Sequence, residues 1–323
     1  MYKEVCILNR VKKAAVPRRK RFNPGYFRKR VMECRYLYAM FLLPLAFYII
    51  FCYVPMYGVT IAFKKYDIMK GILGSPWVGT RYFKEFLTDP YFWKVFKNTL
   101  LLNIYNIIFS FPAPIILALL FNELKNEKFK KFTQSVSYLP HFISTVIICG
   151  MITNFFATDG PVNNLLAMLG IERIQFLMKA EWFRPIYIGS GIWQGIGWGS
   201  IIYLAALAGV DTQLYEAALI DGAGRWKMMT HITLPSILPT ITIMLILSIG
   251  NIMSVGFEKI LLLYNGSTYE TADVIATYVY RRGLLGSDFS YATAVGLFQS
   301  VVGLIFISGA NFISKKLSET SLW

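Results

Sequence analysis

Six stretches of this sequence run for 20 residues or more without an Asp, Glu, Lys or Arg: roughly 37–63, 98–122, 135–157, 185–210, 236–255 and 291–314. Each reaches the ~20 residues that carry a helix across a ~30 Å hydrocarbon layer. Backbone N–H and C=O groups find no water there, so a spanning segment must satisfy them within itself, as a helix does. The predicted class is therefore all-α and integral to a membrane, with six spans. Charged residues make up 16% of the chain, against roughly 25% in soluble proteins. They are confined to the connecting segments, and a soluble fold would have too little polar surface left.

The Lys and Arg residues set an expected orientation. With the N-terminus inside the cell, segments 1–36, 123–134, 211–235 and 315–323 lie inside and carry a net charge of +12. Segments 64–97, 158–184 and 256–290 lie outside and carry the remaining +3 of the total +15. The expected organisation is a basic cytoplasmic arm over 1–36, a transmembrane domain over 37–314 and a short cytoplasmic tail over 315–323. The arm holds Arg18-Arg19-Lys20-Arg21 and Arg28-Lys29-Arg30 and is expected to include an amphipathic helix ending at Arg35. Basic residues beside a first span are the usual topogenic and anionic-lipid signal. No nucleic-acid-binding module accompanies them, so membrane lipid is the expected partner and nucleic acid is not. The first apolar run exceeds a signal peptide's 7–15 residues and is expected to stay uncleaved. Cys6, Cys34, Cys52 and Cys149 have no metal-ligand or CxxC spacing, so neither a disulfide nor a zinc site is expected.

Between the spans, short interfacial helices are expected around 80–87 and 162–169. Pro44 and Pro55 should kink the first span. Gly191, Gly195 and Gly199 are spaced as a helix-packing seam. His141 opens the third span, as a polar group near the interface or, less simply, a proton relay. The sequence has no Gly-Lys dipeptide, hence no P-loop to cradle ATP phosphates. It also lacks a hydrolase nucleophile elbow, a His-Glu-x-x-His motif and paired carboxylates within the runs. Intramembrane enzymes and ion-driven carriers usually need such groups. Neither an enzyme nor a secondary carrier is favoured, although a carrier or channel not driven by ATP remains the rival reading.

Segment 211–235 is the most specific stretch. Glu216-Ala217-Ala218-Leu219-Ile220-Asp221-Gly222-Ala223-Gly224 runs on to Ile232-Thr233-Leu234-Pro235. Asp211 or Thr212 can cap a helix through Ile220, and Gly222 or Gly224 can end it. Pro235 and Pro239 would then start the fifth span, where a missing N–H costs little. A short helix, a glycine turn and a second short helix make a knuckle for a partner to grip.

This stretch resembles the EAA motif of permease subunits in binding-protein-dependent ABC importers, matching at Glu216, Ala217, Ala218, Asp221, Gly222, Ala223, Ile232 and Pro235. Within that family the chain is most similar to sugar permeases of the maltose and glycerol-phosphate type. Tyr138-Leu139-Pro140 and Asn265-Gly266 add to the likeness, whereas Gly266-Ser267-Thr268 departs from the family's Gly-Gly-Pro. The resemblance implies a type I ABC permease fold, with a cytoplasmic coupling helix between the fourth and fifth spans. It implies a second permease subunit, two cytoplasmic ATPase subunits that bind the ATP, and an extracellular solute-binding lipoprotein. It also implies a bacterial plasma membrane, of Gram-positive type, and an oligosaccharide as cargo. This chain itself would need no cofactor or metal.

Carried over from maltose-type permeases, the substrate path includes Trp193, Gln194, Gly195, Trp198, Ser248 and Asn251, with Tyr105, Asn106 and Gln299 as weaker candidates. Aromatic faces stack on sugar rings, and amides and hydroxyls bond their hydroxyl groups. The same residues also suit helix packing, and the sequence leaves both readings open.

Overall fold

The computed structural model describes residue 32 and residues 34–318. Most of the arm expected over 1–36, Cys6 and residues 319–323 of the tail therefore lie outside the described residues. The described residues are helical, apart from turns and one isolated bridge between Lys64 and Trp77. The chain divides into two compact units, Met1–Gly58 and Val59–Trp323. In the first, helix α1 (Arg35–Tyr48) continues through a π turn, Ile49–Tyr53. Its apolar side chains are exposed throughout, a surface suited to hydrocarbon or to a partner rather than to water.

In the second unit, after a four-residue helical turn at Gly71–Gly74, comes α2 (Arg81–Thr88), which forms where an interfacial helix was expected. Next come α3 (Pro90–Glu123), α4 (Glu127–Tyr138), α5 (Thr145–Phe155), α6 (Pro161–Met168), α7 (Ala180–Leu207) and α8 (Thr212–Ile220). They are followed by α9 (Arg225–Gly250), α10 (Phe257–Leu263), α11 (Ile275–Val279) and α12 (Phe289–Ser318). Among the described residues, four helices are long and apolar enough to cross a bilayer: the one starting at Arg35, then α3, α9 and α12. Two bent pairs bring the number to six if each is a single span.

The first bent pair corrects the expectation of one straight helix over 135–157. There α4 and α5 meet at 98°. Pro140 supplies no N–H, and Ser144 starts a new helix by accepting a hydrogen bond from the Ile147 N–H. With 11 residues, α5 is about 16 Å long and does not cross alone. The second pair, α7 and α8, meets at 75° where the coupling segment leaves the bundle.

Three prolines of the spans share a pattern. Pro55, Pro112 and Pro235 each lie two residues beyond a π turn: Ile49–Tyr53, Asn106–Ser110 and Met229–Thr233. A proline cannot donate to the carbonyl four residues back. Widening the turn before it lets other amides reach five residues back, as Phe111 N donates to Asn106 O at 2.9 Å. The backbone thus stays paired where water is absent. This also corrects the expected start of the fifth span. The helix begins at Arg225, and Pro235 and Pro239 lie inside it.

Helix α7 is the central element and packs along α3, with α9 pairing with α12 beside it. Ile115, Ala118, Tyr203, Leu207 and Ile237 form one core between α3, α7 and α9. A second core, around Phe86, Phe92, Ile275 and Tyr291, joins α2, α3, α11 and α12. The seam on α7 differs from the simple glycine spacing. A Cβ on Gly199 would lie 2.9 Å from Pro114 Cγ, and one on Gly197 would fall onto the Ser137 carbonyl oxygen of α4. One on Gly195 would meet nothing within 4 Å. Close packing therefore rests on Gly197 and Gly199 rather than on Gly195.

Candidate functional site

Helix α8 is built for display. The Asp211 carboxylate accepts from Gln213 N at 2.9 Å and caps the first turn. At the other end Gly222 has φ +75°. Its N–H donates to Leu219 O at 3.1 Å, and the Ala223 N–H donates to Ala218 O at 2.9 Å. This pair of bonds is the Schellman closure, which needs a residue in the left-handed region, almost always glycine. Glu216, Ala217, Asp221 and Gly222 are exposed, and Ala218 and Ala223 are half-buried. Leu219, Ile220 and Trp226 stand free beside them, Ile220 with 88% of its surface exposed. The Tyr215 and Thr233 hydroxyls share a hydrogen bond of 2.9 Å, which ties α8 back to α9. The tip is thus apolar, exposed and firmly capped.

The six residues expected along a substrate path do not converge. Ser248 and Asn251 line a cavity of about 380 Å³ between α3, α7 and α9, together with Asn103, Asn106, Ser110 and Ser254. Ser248 Oγ donates to Met244 O at 2.9 Å and Asn251 Nδ2 to Leu247 O at 3.1 Å. Each side chain is thus held against its own helix and keeps acceptor capacity for a ligand. From α7 this cavity receives Gly199 and Tyr203. Residues 193, 194 and 198 point elsewhere, because a helix turns about 100° per residue.

Trp193 borders a separate apolar cavity with Ile148 and Ile152 of α5. Gln194 Nε2 donates to Ile143 O at 3.4 Å, beside the α4–α5 bend. Trp198 stacks on His141. Gly195 has open space where a Cβ would stand. Of the weaker candidates, Asn106 joins Ser248, Tyr105 lines a different cleft, and Gln299 donates from Nε2 to Met253 O.

Two features escaped the sequence reading. The first is a polar knot centred on Asp273, which is fully buried. Its carboxylate accepts from Arg281 Nη1 at 2.8 Å, Arg281 Nη2 at 2.5 Å, Thr277 Oγ1 at 2.6 Å and the Tyr91 hydroxyl. Hydrogen bonding to Asp273 holds the Arg281 guanidinium protonated, with its pKa above the usual arginine value. Asn98 of α3 donates to the carbonyls of Glu270 and Asp273 at 2.9 and 3.0 Å.

The second is Arg184, which the sequence left in a loop and the structure places in the second turn of α7. It lines a cleft of about 530 Å³ together with Tyr105 and Phe109 of α3 and Glu181, Ile188 and Ile192 of α7. Its Nη2 donates to Asn98 Oδ1 at 2.9 Å, and its Nε is buried without a partner. The sequence reading lost it by ending the apolar run at the first charge, although the helix continues past that point.

Residues 86–319 match the family described as binding-protein-dependent transport system inner membrane component. The polygalacturonan/rhamnogalacturonan transport system permease protein YteP of Bacillus subtilis is 47% identical, over 91% of this chain and 92% of its own. The arabinooligosaccharides transport system permease protein AraP of the same organism is 31% identical over 72% and 73%. A chain from the crystal structure of a bacterial ABC transporter that imports the acidic polysaccharide alginate superposes with a TM-score of 0.84. It is 44% identical, over 91% of this chain and 99% of its own. A chain from the crystal structure of a bacterial alginate ABC transporter in complex with an alginate pentasaccharide-bound periplasmic protein also superposes with a TM-score of 0.84, at 44% identity.

Proposed function

This chain belongs to the family of binding-protein-dependent transport system inner membrane components, and from that membership we propose that it forms half of the path through which an ATP-driven importer carries an oligosaccharide. It is a multi-pass plasma-membrane protein with the type I permease fold, a transport subunit rather than an enzyme. Its proposed partners are a second permease, two cytoplasmic ATPase subunits and an extracellular solute-binding lipoprotein. The relatives' names set the cargo class as carbohydrate, from arabinooligosaccharides to polygalacturonan and alginate.

The observation that carries the reading is the exposed, doubly capped helix α8 with its apolar tip. A coupling element must transmit force between subunits, so it needs a rigid end and a surface free for the partner. Glu216, Ala217, Ala218, Asp221, Gly222 and Ala223 are assigned to the ATPase contact. That assignment puts segment 211–235 and both termini in the cytoplasm, in agreement with the charge balance. The source is proposed to be a Gram-positive bacterium, as for the Bacillus relatives. The basic arm over 1–36, the transmembrane domain over 37–314 and the tail over 315–323 are kept as the domain scheme.

The polar cavity at Ser248 and Asn251 is the proposed sugar path, with Gly195 and Trp198 on the adjoining flank of α7. Trp193 and Gln194 are assigned to packing against α5 and the bend before it.

The test is co-purification and uptake. An affinity-tagged chain should bring down a second permease and ATPase subunits, and the complex in proteoliposomes should take up an oligosaccharide only with ATP and the binding protein. In a background without native cysteines, a single cysteine at Ser287 should react with an impermeant reagent on intact cells, and one at Gln213 should not. The reverse labelling pattern would invert the topology, and uptake without ATP would return the chain to the carrier reading.

A further inference from the structure

Arg184 is a cation without an acidic partner. Among the described residues its guanidinium makes no ion pair, and its one hydrogen bond goes to the neutral amide of Asn98. The buried Nε finds no acceptor, and an orphan donor of this kind is uncommon in native proteins and calls for an explanation. The nearby acid, Glu181, stands at the rim with 70% of its side chain exposed, 4.0 Å from Lys179. Across the cleft stand the rings of Tyr105 and Phe109, with centroids 6.3 Å apart and planes tilted by 40°, as two aromatic faces lining the wall. A second cation, Lys259, makes no ion pair among the described residues and reaches the next turn of α7, where its Nζ donates to Tyr187 O at 3.2 Å.

A guanidinium with free N–H groups matches a carboxylate, to which it donates two parallel hydrogen bonds. Aromatic faces match the C–H face of a pyranose ring. The pairing of the two in one cleft fits a sugar acid better than a neutral sugar, which would leave the arginine's charge desolvated and unanswered.

We propose that the cleft between α3 and α7 is a uronate subsite, in which Arg184 pairs with a carboxylate of the saccharide and Tyr105 and Phe109 face its ring. The inference rests on the transport reading above and specifies its cargo as an acidic oligosaccharide. By the proposed topology the cleft lies at the outer end of α7, where the saccharide arrives from its binding protein.

The complete transporter in proteoliposomes tests this with trigalacturonate, its full methyl ester and arabinotriose as probes. The wild type should import trigalacturonate. Arg184→Gln should lower that uptake about tenfold or more, as for a lost hydrogen bond to a charged group. It should leave uptake of whichever neutral probe the binding protein delivers within about twofold, which also shows that the variant is folded. Arg184→Lys should retain part of the acid uptake. Wild-type trigalacturonate import by Arg184→Gln, or an equal loss for acidic and neutral probes, would overturn the subsite. A wild-type complex that imports arabinotriose but not trigalacturonate overturns the subsite and leaves the transport reading standing. A complex that imports none of the three overturns both.

Discussion

The imidazole of His141 lies flat on the indole of Trp198, with ring centroids 4.5 Å apart and planes 2° from parallel. The stack joins the turn between α4 and α5 to the middle of α7 and covers one face of a tryptophan that remains 46% exposed. Ring pairs of this kind contribute about 0.5–1.5 kcal/mol beyond their buried area.

If the flank of α7 at Trp198 borders the sugar path, Trp198→Ala should cut ATP-driven oligosaccharide uptake several-fold without dissociating the complex. Trp198→Phe keeps a ring and should keep most of the rate. Uptake by purified complexes, with subunit ratios read from gels, checks both. Normal transport by Trp198→Ala would make the stack a packing device.

Gly222 closes α8 with φ +75° and has open space around it. Any cost of a side chain there is thus a backbone cost, about 1–2 kcal/mol for the left-handed region. Gly222→Ala should loosen the cap, and Gly222→Asp should also place a charge at the tip. Both should lower ATPase retention and uptake while the spans stay inserted. Gly224→Ala is the control, since Gly224 has φ −74° and no atom near its Cβ position. Equal retention in all three variants would remove α8 from the coupling role.

The glycines of α7 separate by contact. Gly197→Ala drives a methyl group onto the Ser137 carbonyl. Overpacking of this sort typically costs 1–3 kcal/mol, so the variant should melt several degrees below wild type in detergent. Gly195→Ala meets nothing within 4 Å and should melt with wild type. A reversed order would mean that α7 packs in another register.

The pair of Asp273 and Arg281 is asymmetric. The aspartate is fully buried, and the arginine side chain is a quarter exposed. Removing one partner of a buried pair leaves an uncompensated charge, at about 3–5 kcal/mol. Asp273→Asn should therefore destabilise strongly, and adding Arg281→Met should recover part of the loss. Thermal melting of the purified complex decides this. A single variant as stable as wild type would show that the pair is not a structural clamp.

The sequence determined the membrane class, because a charge-free run of 20 residues has few places to go other than lipid or a buried core. It also determined the α8 knuckle, because Asp211 and Gly222 act through bonds to amides and carbonyls within a few residues. The ends of α3 and α7 were less legible. Charged residues near a helix end remain helical, so a reading that stops at the first charge left Arg184 in a loop. The α4–α5 bend was hidden because an apolar run shows its composition but not its direction. Only the tertiary structure decided which residues share a cavity. It set Ser248 and Asn251 beside Asn106, turned Trp193 and Gln194 away, and brought Arg184 to face Tyr105 and Phe109. These placements depend on how α3, α7 and α9 are rotated against one another. That rotation is fixed by contacts such as Gly199 on Pro114, between residues far apart in the chain, and no local pattern encodes it.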